Sequence, residues 1–224
     1  MGKRDSAKTR IADCFIQLVV ESSDPRERVN VTDIVRHLGM DRKSFYRHFD
    51  NAGDLVIWIF RSELAEMLSD EQFDGFELLC PDPSLNDQYP SLPFFASAFD
   101  GDADLDQGKY TKTLCALFNG KLEYYQRILS FPCYLDFYYY LLSLFEPAVH
   151  HSILKILGSD RTMRTSEINF LAEYHTVAYI GRLPYHFAMN RRALPEDELD
   201  AVWTYTHDTL CSAVERLSTP AHAM

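Results

Sequence analysis

The chain is poor in cysteine, with five in 224 residues. They stand far apart, at Cys14, Cys80, Cys115, Cys133 and Cys211. No two of them form a Cys-x-x-Cys pair, the spacing that zinc ribbons and thiol oxidoreductases use. Scattered cysteines in odd number are typical of small buried side chains in a reducing compartment. We therefore expect a cytoplasmic protein with no disulfide framework and no metal site.

Catalytic motifs and long apolar runs are missing as well. The nine glycines form no phosphate-binding loop, and neither His-Glu-x-x-His nor Gly-x-Ser-x-Gly occurs. No apolar run is long enough to span a bilayer, and the start, MGKRDSAKTR, lacks the apolar segment of a signal peptide. Hydrophobic residues still make up 46% of the chain, enough for a substantial core. These features predict a globular protein that is not an enzyme, needs no cofactor and has no membrane partner.

Positive charge is scarce, which at first argues against nucleic acid as a partner. The net charge is −11, but residues 1–60 hold 10 basic and 9 acidic side chains, whereas residues 61–224 hold 12 and 24. The basic residues of the first part cluster in two places, which are Lys3, Arg4, Lys8 and Arg10, and then Arg42, Lys43 and Arg47. A dimer doubles such a set, so a few cations suffice for phosphate contacts. The acidic remainder would repel DNA and orient the protein on it.

The stretch from Asn30 to Leu55, NVTDIVRHLGMDRKSFYRHFDNAGDL, indicates a helix-turn-helix. Asn30 is a favourable N-cap, and Asp33 can complete a capping box with it. An apolar stripe follows at helical spacing, and Gly39 stands where a helix commonly ends in a left-handed residue. Asp41 can cap a second short helix. Two short helices joined by a tight turn are therefore expected.

The second of these helices has two unlike faces. Phe45 and Phe49 lie one turn apart and form an apolar face. At roughly 100° per residue, Lys43 and Arg47 project on the opposite side, with hydroxyl side chains next to them. A helix held by one face and cationic on the other is suited to the major groove of DNA.

The end of this helix, Tyr46-Arg47-His48-Phe49, closely resembles the recognition helix of the TetR family of transcriptional regulators. The resemblance covers residues from about 8 to 60. It implies an all-α fold, with an N-terminal three-helix DNA-binding domain that contains the helix-turn-helix. A C-terminal helical ligand-binding and dimerisation domain would follow. The family pattern also implies a homodimer that reads a palindromic operator in double-stranded DNA with its two recognition helices.

The residues expected to meet DNA lie on both short helices. They are Thr32, Arg42, Lys43, Ser44, Tyr46, Arg47 and His48. The resemblance assigns Tyr46 and His48 to phosphates and Thr32 to a supporting role. Lys43 and Arg47 project furthest from the apolar face, and we expect them to read bases.

The third helix of the domain is expected to run from Ala52 to about Leu68. Many members of the family carry a Lys at its start, where this chain has Ala52. The backbone N–H groups of the helix N-terminus could still bind a phosphate. We place the DNA-binding domain at residues 1–52 and the effector-binding and dimerisation domain at 53–224. A helix shared by both domains can act as a lever that changes the spacing of the recognition helices.

Residues 72–108 are the least regular part of the sequence, with four prolines, eight carboxylates and no Lys or Arg. A structureless loop of this length is unusual, so the aromatic residues Phe94, Phe95 and Phe99 predict a short helix or flap packed on the body. The end of the segment, DGDADLDQG, does not fit a calcium-binding loop because Leu105 stands where glycine is needed. We expect a solvated acidic loop there.

Helices resume at Lys109, and the one that follows Pro132 is rich in tyrosine, with Pro147 expected to kink or break it. Tyrosines suit a pocket that buries and orients a small molecule, although core packing is the alternative for each of them. The residues assigned to an effector site are Phe118, Tyr125, Phe137, Tyr138, His175 and Tyr179.

The last two long helices are expected at residues 166–191 and 196–217. The family resemblance implies that they pair with their copies in a four-helix bundle, and Ala172, Ala178 and Gly181 would permit close approach. The motifs Trp58-Ile59-Phe60 and Tyr185-His186-Phe187 also resemble regulators related to the activator of dihydroxyacetone-kinase operons, some of which use a protein coactivator.

Two functional hypotheses result. The first is a repressor that a small apolar or aromatic ligand releases from DNA. The second is a helical ligand-binding or protein-interaction module, including a coactivator-dependent activator, in which DNA binding is weak or lost.

Overall fold

The computed structural model describes residues 6–24, 26–83, 87–97, 108–130, 134–190, 193–194 and 196–221. Lys3, Arg4, Phe99 and Leu105 lie outside these residues, so the expectations for the N-terminal cations and the acidic loop end are not addressed by it. Within the described part, the fold is all-α, as the sequence predicts. None of the helices found there combines the length and apolar character that crossing a bilayer requires.

The α-helices of the described residues are α1 (Ser6–Glu21), α2 (Val31–Leu38), α3 (Arg42–Tyr46), α4 (Ala52–Leu68), α5 (Gly108–Gly120), α6 (Leu122–Ser130), α7 (Leu135–Leu157), α8 (Thr165–Asn190) and α9 (Glu196–Leu217). A 3₁₀ turn covers Glu71–Phe73. Two antiparallel ladders add short strands, which are β1 (Glu77–Leu79) with β2 (Phe95–Ser97) and β3 (Arg161–Thr162) with β4 (Thr219–Pro220).

Most helix boundaries follow the sequence signals. The helical stretch that begins near Lys109 is divided into α5, which ends at Gly120, and α6, which begins at Leu122. Of the two expectations for Pro147, a break is wrong, because α7 continues through it as one helix. Residues on both sides of Pro147, such as Phe145 and Ala148, are buried. Tertiary packing thus holds both halves of α7 in one helix despite the missing backbone donor.

The irregular segment after α4 contains a flap of the expected kind, although it is built from strands. Leu78 pairs with Ala96 in the β1–β2 ladder, and the Phe94 N–H donates to the Leu79 carbonyl at 2.9 Å. The Phe94 ring packs edge-on against Phe145 of α7, with centroids 5.5 Å apart. The flap is therefore fixed to the C-terminal helices.

One hydrophobic core runs through both parts of the chain. Buried residues from Ile11 in α1 to Leu194 after α8 belong to a single cluster. Phe60 of α4 stands in its middle and contacts Phe118 and Phe137, with centroids 6.0 and 5.5 Å away. Helix α4 is thus packed on the C-terminal helices along its length, as a shared helix must be if it is to transmit movement.

Helix α8 leaves an apolar face in solvent. Its exposed large side chains are Phe170, Tyr174, Val177, Tyr185 and Met189. The small residues expected to permit close approach are not all on this face. Ala172 is fully buried within the chain, and a Cβ on Gly181 would lie 3.4 Å from the Tyr138 hydroxyl. Ala178 is exposed as expected.

Candidate nucleic-acid interface

The turn between α2 and α3 has the geometry that its residues predict. The Asn30 N–H donates to the Asp33 carboxylate at 3.1 Å at the start of α2. At the end, Gly39 adopts φ +62°, and the Met40 N–H bonds to the Val35 carbonyl at 3.0 Å. A left-handed residue is the common way to end a helix and turn the chain sharply. This turn sets the direction in which α3 leaves α2.

Helix α3 has five residues, so its stability depends on its ends and on burial. The Asp41 carboxylate accepts the Ser44 N–H at 2.8 Å and the Ser44 hydroxyl at 3.0 Å. These bonds hold the pKa of Asp41 below its ordinary value, so it stays an anion at neutral pH. Phe45 and Phe49 are buried with centroids 5.8 Å apart, and Phe49 contacts Trp58 of α4 at 5.6 Å. Two aromatic side chains therefore fix α3 to the core.

The opposite face of α3 is in solvent, and the residues predicted to meet DNA lie in α3, directly after its end at Tyr46 and, for Thr32, in α2. Arg42, Lys43, Tyr46 and Arg47 are exposed, and Ser44, Thr32 and His48 are half-buried. Arg42 donates to the Thr32 hydroxyl at 2.6 Å, and Arg47 donates to the Ser44 hydroxyl at 2.9 Å. The structure thus joins Thr32 to Arg42 and Ser44 to Arg47, so hydroxyl groups orient both arginines.

Lys43 differs from the two arginines. Within the described part of the chain it forms no side-chain hydrogen bond or ion pair, and its side chain is exposed. An exposed cation of this kind can bind a phosphate or a base edge without breaking an internal hydrogen bond or ion pair.

The N-terminus of α4 corrects one expectation. The Asn51 side chain accepts the N–H groups of Gly53 at 2.7 Å and Asp54 at 3.0 Å. These donors are therefore occupied, and less of the helix N-terminus is free for a phosphate than the sequence suggested. A cation does lie nearby, because Nη2 of Arg28 is 3.6 Å from the position that a Cβ on Gly53 would take. No local pattern in the sequence pointed to Arg28, since it belongs to the loop before α2.

Lys8 also has a role that the sequence did not show. It lies in α1, and its Nζ stands over the rings of Phe49 and Trp58, 5.5 and 5.9 Å from their centroids. A cation so placed is attracted to the aromatic faces. Lys8 thus links α1 to Trp58 of α4 and to Phe49, which follows α3.

The residues assigned to an effector site separate into two groups. His175 and Tyr179 line a cavity of about 70 Å³ between α5, α7, α8 and α9. Thr176 lines it too, is almost fully buried, and its hydroxyl has no hydrogen-bond partner among the described residues. Burial lowers the pKa of His175 and raises that of Tyr179, so both are neutral near pH 7.

The other four residues are not part of this cavity lining. Phe118 packs against Tyr125 at 4.8 Å between centroids, and Phe137 packs on Phe60. Tyr138 is half-buried and directs its hydroxyl towards Gly181. Aromatic side chains of this density fill the core by packing on one another, which is the alternative that the sequence left open.

Comparison with known proteins finds similarity to a transcriptional activator in sequence and to a solved structure in fold. No protein-family model matches the chain. The HTH-type dhaKLM operon transcriptional activator DhaS of Lactococcus lactis subsp. lactis is 33% identical over 60 residues, which is 27% of this chain and 31% of that protein. The match therefore spans about a third of the length of this curated relative. A solved structure, the dihydroxyacetone kinase operon activator DhaS, has a TM-score of 0.55 at 17% identity. The match covers 95% of the present chain and 98% of the DhaS chain, which shows that the two proteins share a fold.

Proposed function

We propose that the chain is a DNA-binding transcription regulator of the TetR type that binds a palindromic operator as a homodimer. The observation that carries the proposal is the construction of α3. Phe45 and Phe49 hold it to the core, while Arg42, Lys43 and Arg47 face solvent. A short helix held from behind with cations in front can enter the major groove and contact both phosphates and base edges.

The comparisons support the same class of function. The relative with 33% identity is by its name a helix-turn-helix transcriptional activator. The similar structure, an operon activator, shares the helical fold over nearly the whole chain. Sequence-specific regulators of this kind act through binding rather than catalysis, so the proposal includes no enzymatic step and no cofactor.

The exposed face of α8 supports dimerisation. Side chains such as Phe170, Tyr174 and Tyr185 of α8 are exposed, and Tyr205 of the neighbouring helix α9 is exposed as well. Exposed apolar patches of this kind commonly mark protein interfaces. A two-fold dimer through α8 and α9 would place the second α3 at a matching half-site. In this arrangement residues 1–52 bind DNA, and residues 53–224 carry the dimer contact and the control site.

The direction of regulation has two candidate forms. A repressor released by a ligand needs an effector site, but sites for drug-sized ligands are typically of about 300–1,000 Å³. The cavity beside His175 measures about 70 Å³, which fits only a very compact molecule. The named activity of the relative is activation, which favours the activator, and the resemblance to coactivator-dependent regulators suggests a protein partner for its control. Release by a small ligand at this cavity is the second candidate.

The proposal is tested by asking which genomic DNA the protein retains. Purified protein is mixed with sheared DNA of its source organism at low salt, and retained fragments are sequenced. The wild type should enrich a small set of fragments that share an inverted repeat. A variant with Arg42, Lys43 and Arg47 changed to Ala should enrich none, whereas Lys112→Ala, on the exposed face of α5, should behave as the wild type. Retention of no fragment by the wild type would contradict the proposal.

A transcription assay then separates the two forms of regulation. A reporter placed behind an enriched fragment should be more active with the protein than without it if the protein is an activator. Lower activity, restored by a compact ligand, would favour the repressor.

A further inference from the structure

Helix α4 contains an arginine that is buried completely. The Arg61 side chain is 0% exposed and forms an ion pair with Asp87 at 3.2 Å. Its guanidinium also donates to the backbone carbonyl of Tyr89 at 3.1 Å and to that of Leu92. Burying a guanidinium is costly unless its charge is paired and its donors are bonded; here both terminal nitrogens of Arg61 are bonded, while Nε has no hydrogen-bond partner among the described residues. Residues 87–92, which we name the strap, are therefore folded around Arg61.

The strap is also attached to the C-terminal helices. The Tyr140 hydroxyl of α7 donates to the Asp87 carboxylate at 2.8 Å and lies 2.6 Å from Nη1 of Arg61. Asp87 itself is 4% exposed and accepts the Tyr89 N–H at 2.7 Å. The position of the strap is thus set jointly by α4 and α7.

From this anchor, the strap reaches the turn that follows the recognition helix. The Tyr89 hydroxyl donates to one carboxylate oxygen of Asp54 at 2.6 Å, and the other oxygen accepts the Asp50 N–H at 3.0 Å. The Gln88 side-chain amide donates to the Asp50 carboxylate at 3.2 Å. Burial raises the pKa of Tyr89 far above its ordinary value, so the hydroxyl remains a donor at any physiological pH.

These contacts connect two regions that are distant in sequence. Asp50 directly follows Phe49, the aromatic side chain that fixes α3, and Asp54 lies in the first turn of α4. Arg61 lies two turns further along the same helix. The strap therefore runs beside α4 and holds the α3–α4 turn against a point whose position depends on α7.

We propose that Tyr89 is a positioning residue for DNA binding, through which the strap fixes the α3–α4 turn and hence the orientation of α3. This inference rests on the proposed function, because it concerns how the recognition helix is presented to DNA. The strap gives the C-terminal helices a second connection to the recognition helix, in addition to α4. A shift of Tyr140 in α7 would reach the turn through Asp87 and Tyr89.

The test uses Tyr89→Phe in the full-length protein, because this change removes one hydroxyl and retains the ring. Tyr139→Phe, on an exposed residue of α7, is the matched control. Hydrogen–deuterium exchange of the peptide that contains Asp50 should accelerate in Tyr89→Phe and not in the control. The apparent DNA affinity falls in proportion to the fraction of molecules in which the α3–α4 turn is correctly placed. We expect this fraction, and hence the affinity, to fall roughly tenfold in Tyr89→Phe.

The salt dependence separates positioning from a lost phosphate contact. Tyr89→Phe should bind more weakly at every salt concentration with an unchanged slope, since no cation is removed. Titration against a known amount of operator gives the active fraction, so that partial unfolding does not count as weak binding. A double variant with Asp54→Asn should lose less affinity than the sum of the two single losses, because Tyr89 and Asp54 share one hydrogen bond.

Each outcome decides the matter. Unchanged exchange at Asp50, or wild-type affinity of the active fraction of Tyr89→Phe, would overturn the positioning role. If the wild type retains no DNA, the proposed function fails together with the DNA-binding role of Tyr89. The exchange experiment then still shows whether the strap holds the turn.

Discussion

Replacing Lys43 by Ala tests the recognition surface most cleanly, because Lys43 is exposed and makes no internal side-chain contact in the described part of the chain. The fold should be unaffected, so any change in DNA affinity reports the contact itself. A dimer carries two copies of this cation. Each phosphate neutralised adds about 0.9 to the slope of log affinity against log salt, so the variant should lose about 1.8 from that slope.

The assay is fluorescence anisotropy with a labelled operator fragment at a series of salt concentrations. When the salt concentration is raised from about 50 to 200 mM, the affinities of both proteins fall. With a slope difference of about 1.8, the factor by which the wild type weakens is roughly ten times the factor by which the variant weakens. Lys112→Ala, on the exposed face of α5, is the control and should leave the slope unchanged. Equal slopes and equal affinities for the wild type and Lys43→Ala would refute the assignment of α3 to DNA.

Further expectations concern the supports of the site. Phe45→Ala should lower the free energy of unfolding by about 3–5 kcal/mol in urea titrations, because it empties a fully buried site beside Phe49; a loss below about 1 kcal/mol would show that α3 is not held this way. Arg61→Met should cost about 3–5 kcal/mol by leaving Asp87 buried without its partner, and adding Asp87→Leu should recover much of this loss. Burial lowers the pKa of His175 below its ordinary 6.5, so the folded state favours the neutral ring and the unfolded state binds the proton more readily. Stability should therefore fall as the pH drops below 6.5, and His175→Gln should flatten that fall in urea titrations at a series of pH values; an equal fall in the variant would assign the effect to other groups.

Local signals in the sequence were sufficient for the helix-turn-helix. Asn30, Gly39 and Asp41 act within four residues of their own positions, and each has the predicted role at a helix end. The one-turn spacing of Phe45 and Phe49 predicts their burial together, although α3 ends at Tyr46 and Phe49 lies in the turn after it, where its N–H bonds to the Phe45 carbonyl at 3.2 Å. Helix ends and the aromatic pair could be predicted because each interaction partner lies in the same short stretch of sequence.

Features that depend on distant partners could not be predicted. Arg61 and Asp87 are 26 residues apart, and Tyr140 lies a further 53 residues along the chain from Asp87. Nothing in the sequence of α4 distinguishes Arg61 from a solvent-exposed cation at the end of an apolar run. Its burial depends on the strap, which supplies the anion and two carbonyl groups, and on α7, which supplies the Tyr140 hydroxyl.

The effector site illustrates a different limit of sequence patterns. A group of aromatic residues indicates burial, but it does not tell whether the rings enclose a space or fill it. Phe118 and Tyr125 fill the core, whereas His175 and Tyr179 border a cavity. The distinction depends on how α5, α7, α8 and α9 pack together, which helical periodicity does not specify.

Footprinting of the protein on a retained genomic fragment tests the central claim most directly. A homodimer with two exposed α3 helices should protect two half-sites of an inverted repeat, with centres about 34–36 Å, or one helical turn, apart or a multiple of that distance. Methylation of guanine N7 in the major groove should be blocked within both half-sites, and Lys43→Ala should weaken the protection in both. Protection confined to the minor groove, a single unpaired half-site, or no protection at low salt would contradict a dimer that reads DNA through α3.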